Sequence, residues 1–227
     1  MSSVAESTAA VGLRPEEFVL AHTRVAPAAH LPELRLHQAA EAIELWELTE
    51  QVQGGIRMNP PFWAFAWAGG QALARHVLDR PETVEGRRVL DLASGSGLVA
   101  VAAAVAGAAS VTASDIDPFA AAAVGLNAAL NGVRVEALLG DLLDGDGGDA
   151  EVVLAGDVFY ERPMAERVLP FLQRARARGA LVLVGDPGRA YLPRQRFEAV
   201  SRQQVPVVAD LEDRAVKATT VWRLQAD

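Results

Sequence analysis

Between Arg88 and Val184 short β-prone apolar runs alternate with longer apolar stretches of helical length. The pattern predicts strands at Arg88–Leu92, Ser110–Ser114, Val133–Leu139, Val152–Ala155 and Ala180–Val184, with helices at Leu98–Ala106, Pro118–Leu130 and Pro163–Ala177 between them. Gly- and Asp-rich turns separate most of these units, which is how parallel βαβ construction appears in a sequence. After Val184 the rhythm changes. Val205–Val208 and Lys217–Leu224 are two β-prone segments joined by a short charged turn, Asp210–Arg214. That turn leaves no room for a crossover helix, so an antiparallel hairpin should close one edge of the sheet.

The segment before Arg88 is less regular. Met1 to about Gly12 is Ser/Ala-rich with few large apolar groups. Leu31–Val52 alternates apolar and charged positions at helical spacing through Leu34, Ile43, Trp46 and Leu48, and predicts an N-terminal helical extension packed on the domain. The stretch from Asn59 to Gly70 cannot begin as a regular helix, because Pro60 and Pro61 fix φ and restrict the residues before them. It predicts a rigid aromatic loop leading into a helix from about Gln71 to Asp79. The expected fold is therefore α/β and Rossmann-like: a mostly parallel seven-stranded sheet with helices on both faces, a C-terminal hairpin and a partly helical extension over residues 1–58, the domain proper spanning 59–227.

Composition narrows the chemistry. A chain of 227 residues, 51% hydrophobic and 22% charged, has the balance of one domain with a sizeable core. The net charge of −8 argues against a nucleic-acid partner and favours a cationic one. With no cysteine, and with His22, His30, His37 and His76 at no ligand spacing, no metal site is expected. The only lysine, Lys217, is far from any glycine-rich turn, so a P-loop or Schiff-base lysine has no candidate. Neither a signal sequence nor a membrane-length apolar run is present, and a cytoplasmic, monomeric protein is expected.

The strongest local signal is Val89 to Gly97, a strand running into a Gly-x-Gly turn that opens a helix. Glycines let backbone approach a ligand, and free N–H groups at a helix start favour a polar or anionic group. Gly95–Ala100 also satisfies the dinucleotide pattern, with Asp115 twenty residues after Gly95 where a ribose-binding acid would stand, so a nicotinamide cofactor is one reading. S-adenosylmethionine is the favoured one. Asp91 would oppose a diphosphate but attracts a cationic methionine moiety. Asp141 follows the third strand, placed to accept from an adenine amino group, and little chain remains for the second region that a dehydrogenase needs. Asp117 suits an N-cap before Pro118, which releases Asp115 for the ribose hydroxyls. The cofactor-binding set is Trp67, Asp91, Ser94, Gly95, Gly97, Asp115, Ile116, Asp141 and Leu142, with Trp67 as the ring that covers the adenine or lines the acceptor channel.

Ligands of open α/β sheets bind beyond the strand carboxyl ends, so Asp157 and Tyr160, after the fourth strand, should border the reacting centre. Methyl transfer to an amine needs a neutral lone pair aligned with the methyl group, which Asp157 and Tyr160 could hold and orient. Asp186 and Arg189, in the turn after the fifth strand, are further substrate-binding candidates beside their turn-forming role.

Together these stretches resemble the seven-β-strand methyltransferases, and within them the family that includes the electron-transfer flavoprotein β-subunit lysine methyltransferase. The correspondences are Pro61–Ala64, Trp67–Leu73, Val89–Gly97, Asp115–Pro118, Gly156–Tyr160, Gly185–Arg189 and Thr220–Trp222, spanning roughly Pro60 to Leu224. The glycine turn and Asp115 mark only the superfamily; the aromatic loop, Asp157-x-x-Tyr160 and Gly185–Arg189 point to the lysine-modifying branch. Ala68 stands where that family often has proline, and Ala93–Gly97 is less glycine-rich than its usual turn. The resemblance implies a catalytic Asp157 and Tyr160 at an acceptor lysine, S-adenosylmethionine as donor with S-adenosylhomocysteine as product, and a protein substrate, the flavoprotein β subunit. Ribosomal protein L11 methyltransferases, which share the Asp-Ile-Asp-Pro element, supply the alternative substrate, and a small amine is another.

Overall fold

A computed structural model describes residues 14–40, 60–207 and 215–226. The main sheet has seven strands: β3 (Arg88–Leu92), β4 (Ser110–Asp115), β5 (Glu136–Leu139), β6 (Val152–Gly156), β7 (Leu181–Asp186), β8 (Phe197–Pro206) and β9 (Val216–Leu224). Their spatial order is β5-β4-β3-β6-β7-β9-β8. The first five are parallel, while β9 runs antiparallel to both β7 and β8. The chain winds outward from β3 through β4 to β5, then crosses back to β6. The order therefore reverses between β3 and β6, and a crevice opens above their carboxyl ends, where ligands of such sheets bind.

Successive strand residues feed opposite layers, as the two-residue period requires. Val89, Val152 and Leu154 pack with helices α2 (Ala68–Asp79), α3 (Leu98–Val105) and α4 (Pro118–Leu130). Leu90, Val153 and Ala155 pack under α5 (Arg162–Ala177), against Phe171 and Leu172. With both faces covered, the central strands are buried almost throughout, which is why they appear in the sequence as unbroken apolar runs. No helix among the described residues is long and apolar enough to cross a membrane.

The N-terminal extension departs from expectation. Pro15–His22 forms helix α1, and Arg24–Ala28 (β1) pairs antiparallel with Leu31–Gln38 (β2), where the apolar spacing had predicted a helix. Residues 41–52 of that predicted helix, and the turn Asp210–Arg214, lie outside the described residues. The reason for β2 is tertiary. Leu34 and Leu36, two apart, are buried in the core, and two asparagines of α4 take over the strand's outer backbone groups. Asn127 Oδ1 accepts from His37 N–H (2.8 Å), while Asn131 accepts from Arg35 N–H (3.0 Å) and donates to Arg35 O (2.7 Å). Residues spaced like a helix face were stabilised as a strand by partners some 90 positions away.

The C-terminal hairpin is present and longer than predicted. β8 begins at Phe197, and a bulge between Ala199 and Ser201 keeps it paired with β9. It is the sheet's edge strand, with an exposed face that tolerates Glu198, Arg202 and Gln204, and those polar residues concealed all of it before Val205.

Candidate active site

The glycine turn is built on left-handed backbone. Ala93, Gly95 and Gly97 have φ of 52°, 52° and 74°. A Cβ on Gly97 would also lie 2.9 Å from Val124 Cγ2, so glycine there lets α3 start against α4. The turn is fastened to the next strand: Ser94 N–H donates to Ser114 O (3.0 Å), and Gly95 N–H to Asp115 Oδ2 (2.9 Å). Asp115 Oδ1 accepts from Asp117 N–H (3.0 Å), and Asp117 caps α4 by accepting from Phe119 N–H (2.8 Å), as expected for Asp117. Asn127 Nδ2 donates to Ser96 O (2.8 Å), which ties the turn through Asn127 to β2 of the extension.

Above this turn a cavity of about 430 Å³ runs along the strand ends, within the range of small-molecule and cofactor sites. Asp91, only 1% exposed, sits in its wall with Oδ2 accepting from Ala100 N–H (3.0 Å). Burial, with Asp115 adding repulsion, pushes its carboxyl up to about 8. Burial likewise raises Asp115 above the ordinary carboxylate range. Ser94 Oγ, also in the wall, is buried without a hydrogen-bond partner, a polar atom suited to a ligand. At the far end Ile116 and Leu142 line the cavity beside Asp141. Asp141 is held by Arg167 Nη1 (2.6 Å) and Leu143 N–H (2.9 Å), which together lower its pKa.

The other end is formed by the turns after β6 and β7. Asp157 has φ of 57°, a rare conformation for a residue with a side chain, and its carboxylate is fixed from two sides. Oδ2 accepts from Gly70 N–H (2.9 Å) in the first turn of α2, and Oδ1 accepts from Arg189 Nε (3.1 Å) and Nη2 (2.8 Å). Asp157 can meet α2 because the backbones nearly touch. A Cβ on Gly69 would lie 2.2 Å from Gly185 O, and one on Gly156 2.8 Å from Gly70 Cα. Tyr160, 37% exposed, packs on Phe62 with ring centroids 5.3 Å apart. Its phenol is pushed up to about 12, mainly by burial and then by Glu161 and Asp115, with Arg189 opposing.

The fold thus gathers Trp67, Asp91, Ser94, Gly95, Asp115, Ile116, Asp141, Leu142, Asp157, Tyr160 and Arg189 into the wall of one cavity. Gly97 and Asp186 stand behind it. Asp186 is 1% exposed, and its Oδ1 accepts from Gly188 N–H (2.6 Å) and Arg189 N–H (2.7 Å), so its visible work is to shape the turn that presents Arg189. Trp67 Nε1 donates to Phe62 O (2.8 Å) and braces the loop from inside. Of the other aromatics, Trp63 is 1% exposed and stacks on Phe119. Phe62, Arg167, Glu161 and Met164 also line the cavity and were not foreseen. Trp63 lines the cavity as well, and nothing in the local pattern says that Phe62 packs on Tyr160 while Trp63 stacks on Phe119, because the two rings leave a short 3-10 turn and not a strand. Arg167 and Met164 are contributed by α5, whose position over the sheet is a property of the fold.

Comparison with known proteins bears on this site. A family model described as ribosomal protein L11 methyltransferase (PrmA) matches residues 72–158, from within α2 through the glycine turn to Val158. The electron transfer flavoprotein beta subunit lysine methyltransferase of Xenopus laevis is 33% identical over 93% of this chain and 87% of its own length. The Danio rerio protein of the same name is 35% identical over 92% of this chain and 82% of its own. Among solved structures, a ribosomal protein L11 methylase from Lactobacillus delbrueckii subsp. bulgaricus superposes with a TM-score of 0.55 at 21% identity, covering 89% of this chain and 99% of that one, a likeness of fold. The nicotinamide reading has no support among these relatives, and methyltransferases stand on every side.

Proposed function

The chain belongs to the family of electron transfer flavoprotein β-subunit lysine methyltransferases, and from that premise we propose that it methylates lysine ε-amines of that flavoprotein subunit with S-adenosylmethionine as donor. The observation that carries this reading is the single cavity that joins the Gly95 turn to Asp157 and Tyr160, so that a cofactor site and an acceptor site share one wall.

The donor supplies a methyl group activated on a positively charged sulfur and leaves as S-adenosylhomocysteine. Asp91, whose carboxyl lies at about 8 in the ligand-free site, would give up its proton as the cationic methionine end binds beside it, Asp115 would take the ribose hydroxyls, and Asp141 with Ile116 and Leu142 would border the adenine. The free Ser94 Oγ and the apolar wall fit such a molecule. At the acceptor end Asp157 and Tyr160 orient the lysine nitrogen. With its phenol pushed up to about 12, Tyr160 stays protonated at neutral pH and donates a hydrogen bond instead of acting as a base. No strong base is required, because the amine's proton can leave to water.

The test is incubation of the purified protein with labelled S-adenosylmethionine and, separately, purified electron transfer flavoprotein and ribosomal protein L11, followed by mass mapping. Label on flavoprotein lysines is the expected outcome. Label on L11 alone would keep the reaction and overturn the substrate, whereas no label and no binding of S-adenosylhomocysteine would overturn the proposal.

A further inference from the structure

An acidic residue at an amine-methylating site poses a chemical problem. A lone carboxylate stabilises the ammonium form of a bound lysine, which has no lone pair and cannot attack. Asp157 is not alone: Arg189 donates twice to its Oδ1, at 2.8 and 3.1 Å, with both side chains largely buried. The rest of the surroundings carry both signs, and Asp186, Glu161 and Asp115 add negative charge that makes a cation on Asp157 itself the more consequential. From α2, Gly70 N–H and the positive helix start face Oδ2. From the β7 turn, Asp186 is buried with its carboxyl raised to about 6. Glu161 follows Tyr160, while Asp115 and Arg167 lie farther along the same wall. Arg189 is a cation in direct contact with Asp157, and its charge also reaches the Tyr160 phenol.

We propose that Arg189 is a positioning residue that neutralises Asp157, so that the site receives the acceptor lysine as its neutral, nucleophilic amine instead of holding it as the ammonium. The inference rests on the lysine-methylation reading above. The ammonium first loses a proton to water. The nitrogen lone pair then forms the bond to the methyl carbon as the carbon–sulfur bond breaks with its electron pair remaining on sulfur, and Asp157 accepts a hydrogen bond from the amine without binding a full positive charge. The turn suits this role, because Asp186 anchors the Arg189 backbone and the guanidinium is aimed by the fold and not by the substrate.

The experiment follows the single-turnover methylation rate of purified electron transfer flavoprotein between pH 6.5 and 10.5 in wild type, Arg189→Gln and Arg189→Lys, with the donor bound beforehand. The wild-type rate should rise along a limb centred below the ordinary lysine value of about 10.4. In Arg189→Gln, which keeps a donor without the charge, the limb should move up by about one pH unit or more, and Arg189→Lys should hold it near the wild-type position. Calorimetry supplies a second readout: Arg189→Gln should bind unmodified flavoprotein at pH 7.5 at least as tightly as wild type, with unchanged affinity for S-adenosylhomocysteine. A wild-type limb at or above 10.4, or a limb unmoved in Arg189→Gln, overturns the inference while leaving the substrate intact. Failure of wild type to label the flavoprotein is the failure of the substrate reading and takes this inference with it.

Discussion

Asp91 and Asp157 stand in one cavity wall, yet their surroundings differ in kind. Asp91 has burial, one backbone donor and no cation, and its carboxyl lies at about 8. Because the folded value is above the unfolded one of about 3.9, its contribution to stability is full below pH 4 and is lost as pH rises toward 8. Between pH 5 and 8 Asp91 therefore lowers the melting temperature of the ligand-free protein, with Asp117 and Asp186, both raised to about 6, acting in the same direction. His22, His37 and His76, held below the ordinary imidazole value by burial, act in the opposite one, so the Asp91 effect is read from its variant. Asp91→Asn should raise the melting temperature at pH 8 by roughly a few degrees and weaken S-adenosylhomocysteine binding at least tenfold, as scanning fluorimetry and calorimetry would show. An Asn variant as unstable at pH 8 as wild type would contradict the burial argument. Asp157 is held by Arg189 and by the start of α2, so Asp157→Ala removes a helix-start acceptor and two hydrogen bonds from a largely buried guanidinium, for about 2 kcal/mol or more. Asp157→Asn keeps an acceptor for Gly70 and tolerates positive φ. It should retain most of the stability and still lose most methylation of flavoprotein, measured by denaturant melts alongside label transfer. These acids could be chosen from the sequence because Asp91 stands in the carboxyl end of β3 and Asp157 directly follows β6. Their partners could not, since Arg189 is 32 residues from Asp157 and Gly70 is 87 away.

Contact between elements is tightest where α2 meets the ends of β6 and β7, and two adjacent glycines there should behave oppositely. Gly69→Ala would place a methyl 2.2 Å from Gly185 O and 2.6 Å from Asp157 Oδ2, backbone and an anchored carboxylate that cannot yield cheaply. It should destabilise the fold by roughly 3 kcal/mol or more and disturb the acceptor end. At Gly70 the nearest atom to an added methyl is Val99 Cγ2 at 3.9 Å, so Gly70→Ala should be neutral or stabilising by up to about 1 kcal/mol through helix propensity. Parallel urea titrations decide the pair, and equal losses would refute the packing account. The elements β3, β4, β6 and β7 were legible to within a residue or two, β6 and β7 because burial on both faces forces continuous apolar runs and β4 because its apolar residues alternate with small polar ones. β2 and all of β8 before Val205 were not. One borrows its hydrogen bonds from α4 and the other is a half-solvated edge, so neither needs a local signature.

For the molecule as a whole, a net charge of −8 implies that a cationic protein surface is drawn in from a distance. The value of kcat/KM for flavoprotein should fall several-fold between about 20 and 200 mM salt, mostly through KM, because the field is screened over roughly 10 Å or less. A salt-independent KM would place recognition in short-range packing alone. The parallel winding also sets the site's layout. The glycine turn, Asp115 and Asp141 follow β3, β4 and β5 on one side of the reversal in strand order, while Asp157 and Arg189 follow β6 and β7 on the other. Strand periodicity, the left-handed glycine turn and the Asp117 cap were determined by the sequence itself, since each depends on residues within a few positions, and so was the choice of acids at the strand ends. Only the tertiary structure decided that Leu31–Gln38 pairs as a strand, that Phe62 packs on Tyr160 while Trp63 stacks on Phe119, that Asp186 is buried behind the cavity, and that Arg189 pairs with Asp157. Each of these is fixed by contact between segments far apart in the chain, whose meeting depends on how the sheet is ordered and what covers it, and local spacing carries no record of that.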